Sequence, residues 1–149
     1  MITIIIYGLD QFVTGRLSRE MTPRLASLYE MSSDEILFIA PENMIFHQGV
    51  EQTSWNTIIH VHAPTKYSVL QDQIAKFILA SIGEVAINKI LEFYYYSQEN
   101  RYVKFNDSYP RFVSEDNLVD LECEDYNDKE EGEGDDEIYT GDIFKSLND

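Results

Sequence analysis

An α+β fold is predicted, in which two β-α-β repeats build a four-stranded sheet with both helices on one face and a C-terminal hairpin strand added. Two observations carry it. The order strand, helix, strand occurs twice in the first hundred residues: the strand starts at positions 2 and 57 are 55 apart, and those at 36 and 87 are 51 apart. Between the paired strands lie apolar stripes at spacings of three and four, the period of a helix packed by one side. Right-handed crossovers then put both helices on the same face.

The first strand, Ile2-Thr3-Ile4-Ile5-Ile6-Tyr7, is β-branched and aromatic and stops at Gly8. Asp10 is placed to cap the helix that follows. Val13, Leu17, Met21, Leu25 and Leu28 form its apolar face, and Pro23 predicts a kinked or broken helix over about 12–31, ended by Ser32-Ser33-Asp34. Glu35 to Ile39 is the second strand. Residues 41–54 read as an irregular loop anchored by Met44, Ile45 and Phe46, with Trp55 beyond, either a pocket rim or a strap over the sheet edge. Asn56 to His62 is the third strand.

A helix from about Ser68 to Ile82 begins with a Ser68-x-x-Gln71 capping box. It buries Leu70, Ile74, Phe77, Ile78 and Ile82 and ends at Gly83 in a left-handed position. Ile87 to Tyr96 is the fourth strand. The polar turn Ser97-Gln98-Glu99-Asn100 leads into Arg101-Tyr102-Val103-Lys104-Phe105 as a hairpin.

Charge divides the chain into a domain over residues 1–112 and an acidic tail over 113–149. The first part holds 12 acidic and 9 basic side chains, net −3; the second holds 15 and 2, net −13. The domain has no basic stripe, which excludes nucleic acid as a partner. Asp116 to Asp136 has too little apolar surface to offset ordering and is predicted to be largely disordered. Ile138, Tyr139, Ile143, Phe144 and Leu147 form a short amphipathic stretch that docks on the domain or on another protein. Cys123 is the single cysteine, and no apolar run approaches the ~20 residues that span a bilayer. With no secretory signal at Met1-Ile2-Thr3, a cytoplasmic, reducing location and no membrane are expected.

The strands do not alternate as a sheet with one wet face should. Ile5 and Tyr7 oppose Ile2, Ile4 and Ile6; Ile58 opposes Ile59 and Val61; Tyr94 and Tyr96 oppose Phe93 and Tyr95. The second face needs cover, and self-association is the economical way to supply it.

Strand-helix-strand twice, helices on one face and association over the other resemble the tautomerase superfamily, which includes 4-oxalocrotonate tautomerase and macrophage migration inhibitory factor. The segment Leu70 to Ile78 and the Phe93–Phe105 hairpin look like a bacterial branch of small tautomerase-like proteins. The resemblance covers about residues 1–107 and implies a homotrimer with no cofactor. It also implies an N-terminal proline base, exposed by methionine removal, beside a cationic or hydrogen-bonding group. Position 2 is Ile2, which is bulky enough to keep Met1 in place, and Met31 and Ser32 stand where migration inhibitory factor has a lysine. Activity by that route is therefore not expected. The remaining candidates for chemistry are Met1, whose amine could act as the base, Tyr95 and Arg101.

His60 and His62 share one side of a strand and, with His47, are the candidate metal ligands, although His-x-His is more often packing than coordination. Asp125 to Glu130 starts like a calcium loop but has Lys129 at the fifth position and no glycine at the sixth, so it is rejected. Function is then expected to lie in binding, through the oligomer surface or the tail. A keto or enol acid tautomerase, and a tail that mimics an acidic partner, are the alternatives.

Overall fold

A computed structural model describes residues 1–114; the expectations for the tail fall almost wholly outside them. Met1–Lys104 is one compact unit, and a second begins at Phe105. Within the first unit β1 (Ile2–Tyr7), α1 (Gln11–Tyr29) and β2 (Ile36–Ile39) form one repeat. A hairpin of β3 (Phe46–His47) and β4 (Val50–Glu51) comes next. The second repeat is β5 (Asn56–Pro64), α2 (Gln71–Ile82) and β6 (Asn88–Tyr96). The sheet order is β2-β1-β5-β6. Each repeat is a parallel pair, with Ile2 opposite Ile36 and Asn56 opposite Asn88, and the two join antiparallel through Thr3–His62 to Tyr7–Ile58. The predicted α+β architecture is the observed one.

Alternation decides the core. Ile2, Ile4, Ile6, Ile59 and Val61 have no exposed surface and meet Leu17, Met21 and Leu25 of α1 and Ile74, Ile78 and Ile82 of α2. Both helices thus present residues four apart to one face of the sheet. Asp10 caps α1 as its position predicts, its carboxylate accepting from the amides of Phe12 at 2.8 Å and Val13 at 2.9 Å. The helix runs unbroken through Pro23. A proline forfeits one backbone bond there, and the buried face on either side holds the helix together.

Three local expectations are corrected. Ser68 does not cap α2: the chain enters through a 3-10 turn, Thr65–Leu70, and the Ser68 carbonyl, not its hydroxyl, meets the Gln71 amide. Gly83 has the positive φ expected (+55°), but its ψ of −131° is extended rather than left-handed helical. Lys89 closes that connection by donating to the Gly83 carbonyl at 2.6 Å. Finally, the hairpin strand over 101–105 is not formed. β6 ends at Tyr96, Gln98–Asn100 is a 3-10 turn, and the Arg101 amide bonds back to Gln98, which spends the donor a ladder would need.

The 41–54 loop is partly ordered as the β3–β4 hairpin, with Gln48 and Gly49 both at positive φ in its turn. Met44, Phe46 and Trp55 are exposed rather than anchoring it; Ile45 alone of the four turns inward. The loop ties strand ends together, since the Ser54 amide donates to Gly8 at 2.8 Å and the Asn88 amide to Trp55 at 2.9 Å. In the second unit, residues 105–114 place the Arg111 guanidinium 4.4 Å from the centre of the Phe105 ring and 5.2 Å from that of Phe112.

Within Met1–Lys104 both helices lie against the first face, and apolar side chains of the opposite face stay exposed. Ile39 is 39 % exposed, Ile90 48 % and Tyr94 43 %. The doubly apolar pattern read from the strands is real, and the candidate site side chains His60 and His62 lie on this face. No helix among the described residues is long and apolar enough to cross a membrane.

Candidate functional site

The parallel register that sets Ile2 opposite Ile36 also sets Glu35 beside Met1, and the Met1 amino group lies 2.8 Å from the Glu35 carboxylate. At the same end of the strands but the other edge of the sheet, β6 finishes at Tyr96, opposite Pro64. The Tyr96 hydroxyl donates to the Met1 carbonyl at 2.6 Å, and Arg101 Nη1 donates to the same carbonyl at 2.9 Å and to the Tyr96 oxygen at 2.5 Å. The turn after β6 therefore aims Arg101 back across the sheet to the head of β1. A cleft of about 350 Å³ opens there, lined by Thr3, Ile5, His62, Tyr96 and Arg101. It offers a guanidinium, a phenol and an imidazole around an apolar floor, a set suited to a small organic anion.

Met1 and Arg101 are brought together, as two of the sequence candidates. Tyr95 is not with them. It points to the helix face, stacks on Phe93 and donates to the Gln71 side chain at 3.0 Å. Burial first, and then the Asp72 carboxylate, hold its phenol above the ordinary range. The phenol of the cleft is its neighbour Tyr96, because adjacent strand residues face opposite ways.

His60 and His62 share the open face, their ring centres 6.2 Å apart. His47 sits on the β3–β4 hairpin, and among the described residues no three His, Cys, Asp or Glu side chains already converge on one point. Two residues that the sequence reading passed over join the histidines. His60 Nε2 is 3.0 Å from a Glu92 carboxylate oxygen, and the Tyr94 hydroxyl donates to that same oxygen at 2.8 Å. The Tyr94 ring lies 4.9 Å from each imidazole and stacks on His62. Burial, and then the neighbouring His60, lower the His62 pKa; the Glu92 hydrogen bond raises that of Tyr94. The period-two alternation puts Glu92 and Tyr94 on one side of β6, but only the β5–β6 register of the fold places Glu92 opposite His60 and Tyr94 opposite His62.

No protein-family model matches the sequence, and no curated protein matches it. Solved structures do. A domain of unknown function (DUF1904) from Sebaldella termitidis superposes with a TM-score of 0.63 at 18 % identity, over 69 % of this chain and 95 % of that one. A protein of unknown function from Vibrio cholerae gives 0.60 at 16 % identity, over 68 % and 83 %. A macrophage migration inhibitory factor-like protein from Entamoeba histolytica gives 0.55 at 11 % identity, over 69 % and 95 %. These likenesses are of fold, and they agree with the topology: the chain has the tautomerase/macrophage migration inhibitory factor fold.

Proposed function

We propose that the chain acts by binding, as a homotrimer closed over the open sheet face, without the proline-dependent proton transfer of tautomerases. The observation that carries this reading is Ile2. It occupies the place of the proline base, has no exposed surface, and is paired in the sheet with Ile36. A core side chain at the head of β1 leaves no secondary amine at that position to take a proton. The apolar character of the open face supports the trimer, since Ile39, Ile90 and Tyr94 would gain by cover.

The test has two parts. Phenylpyruvate and 2-hydroxymuconate should be turned over at less than about a tenth of the rate of a proline-bearing relative, a gap of roughly 1.4 kcal/mol. Comparable turnover would refute the reading. Light scattering at micromolar concentration should give three times the chain mass, and a stable monomer would remove the trimer.

One observation favours a second reading, a tautomerase acting on small keto or enol acids with another base. The cleft at the head of β1 gathers Arg101, Tyr96 and His62. Turnover that survives a one-residue N-terminal extension would exclude the Met1 amine and turn attention to those side chains. The acidic charge of residues 113–149 supports a further partner, a basic protein surface.

A further inference from the structure

We propose that the cleft at the head of β1 takes up a small carboxylate with an apolar body together with one proton, and that the proton goes onto His62. The proposal rests on the reading of the chain as a binding protein and adds the class of ligand and its coupling to pH.

The anchor is Arg101. It is half-buried, and its Nη1 is spent on the Met1 carbonyl at 2.9 Å and the Tyr96 oxygen at 2.5 Å. Among the described residues no hydrogen bond engages its Nε or Nη2. Glu35 and Glu92 are paired elsewhere, with the Met1 amine at 2.8 Å and with His60 at 3.0 Å. The lining, Thr3, Ile5, His62, Tyr96 and Arg101, contains no acid. A guanidinium held in place, with part of its fork unspent and no counter-ion, suits a carboxylate. Ile5 and the Tyr96 ring beside it favour an organic body over an inorganic anion.

His62 receives the proton. On β5 its charged neighbour is His60, 6.2 Å away between ring centres. On β6 it meets Tyr94, stacked at 4.9 Å and 14°, and Tyr96, while the Glu92 carboxylate is engaged by His60 and Tyr94. On β1 its partner is the uncharged Thr3, Tyr7 lies against His60, and the Met1 amine is held by Glu35. Arg101 faces it across the cleft. Its surroundings are thus neutral or cationic. Burial, and then His60, hold its pKa below the ordinary value, so the ring stays neutral in the empty cleft. A carboxylate on Arg101 reverses the local charge; His62 then takes a proton from solvent and donates its N–H to the ligand. Linkage is reciprocal, so the ligand must bind more tightly as pH falls. The competing account is an Arg101 that only clasps the N-terminus.

Calorimetry of the full-length chain with 3-phenylpropionate decides between them. That acid has no keto group to enolise, so failure to bind strikes this proposal alone, whereas turnover of phenylpyruvate strikes the reading of function. Binding should be about tenfold or more tighter near pH 5.5 than near pH 8, with the acid ionised throughout. Near pH 6.5, two buffers of different ionisation heat should reveal proton uptake, and the uncharged 3-phenylpropanamide should not bind. His62→Gln should abolish the uptake and flatten the profile, while His60→Gln should retain the uptake. Arg101→Gln should weaken binding about tenfold or more at every pH, with unchanged far-ultraviolet circular dichroism, and Arg101→Lys, which keeps the charge without the fork, should fall between. Light scattering should give one mass across the range. No binding at millimolar ligand, affinity independent of pH, uptake that survives His62→Gln, or an affinity change that tracks a change in mass would each overturn the proposal.

Discussion

Gly8→Ala should be among the most damaging small substitutions in the chain. Gly8 ends β1 at φ +83°, and a Cβ there would lie 2.7 Å from the Asn56 carbonyl oxygen and 2.7 Å from Ile45 Cδ1. The Ile45 methyl can rotate away. The Asn56 oxygen belongs to the first residue of β5 and cannot, because its neighbour Thr57 is fully buried and the Gly8 carbonyl is itself tied to the Ser54 amide at 2.8 Å. The left-handed backbone costs an alanine about 1–2 kcal/mol, and forcing a methyl into a filled space adds about 1–3 kcal/mol. A smaller unfolded-state entropy returns about 0.5–1 kcal/mol, which leaves a net loss of about 1–4.5 kcal/mol. Two other glycines calibrate the terms. At Gly49, φ +80° with nothing within 4 Å, alanine should cost the backbone term alone, about 1 kcal/mol. At Gly15, inside α1 with nothing within 4 Å, alanine should stabilise by up to about 1 kcal/mol. Urea unfolding at one fixed protein concentration, with the slope unchanged between variants, measures all three. If Gly8→Ala lost no more than Gly49→Ala, the steric argument at the β1–β5 junction would be wrong.

Other expectations follow from the open face and from burial. Ile5→Asp should shift the mass seen by light scattering from trimer to monomer, since an unpaired charge covered by a neighbour costs about 3–5 kcal/mol; retention of the trimer would place Ile5 outside the interface. His62 has a folded-state pKa below its unfolded one, so the unfolded chain binds more protons, and stability should fall as pH drops from about 6.5, the unperturbed value, through the lower folded value. His62→Gln should flatten that part of the pH profile, and an unchanged profile would reject the assignment. Burial raises the Tyr29 pKa well above 10, with Tyr95 and Tyr67 adding to it, so stability should decline above about pH 10 as the unfolded phenol ionises. Ultraviolet titration should then show one fewer late-ionising tyrosine in Tyr29→Phe.

The features that could be read from the chain are those set by short-range periodicity. A strand's alternation and a helix's four-residue stripe depend only on neighbouring residues, so Ile2, Ile4 and Ile6, Leu17, Met21 and Leu25, and Ile74, Ile78 and Ile82 were all legible as core. Asp10 was legible as a cap for the same reason, since its oxygen reaches only two and three residues ahead. Ser68 failed because a capping box assumes that the helix starts there, whereas a 3-10 turn delays α2 to Gln71. The site failed differently. Met1, Tyr96 and Arg101 meet across 95 and 100 residues of sequence, a separation at which no local pattern speaks. Arg101 could be named as a charged candidate, but its partner depends on where β6 stops and on which way the following turn points. A shift of one residue exchanges Tyr95 for Tyr96 and carries the phenol from the helix face to the cleft. Glu92 was missed on the same ground: a carboxylate in an aromatic strand has no evident role until the β5–β6 register sets it against His60. The repeat spacing of 55 residues for one strand and 51 for the other held a coarse form of that register. Applied to β5 and β6, it sets Thr57 opposite Ile87 and His60 opposite Ile90, two residues short of the true partner Glu92, because the second repeat pairs its strands with a different stagger from the first.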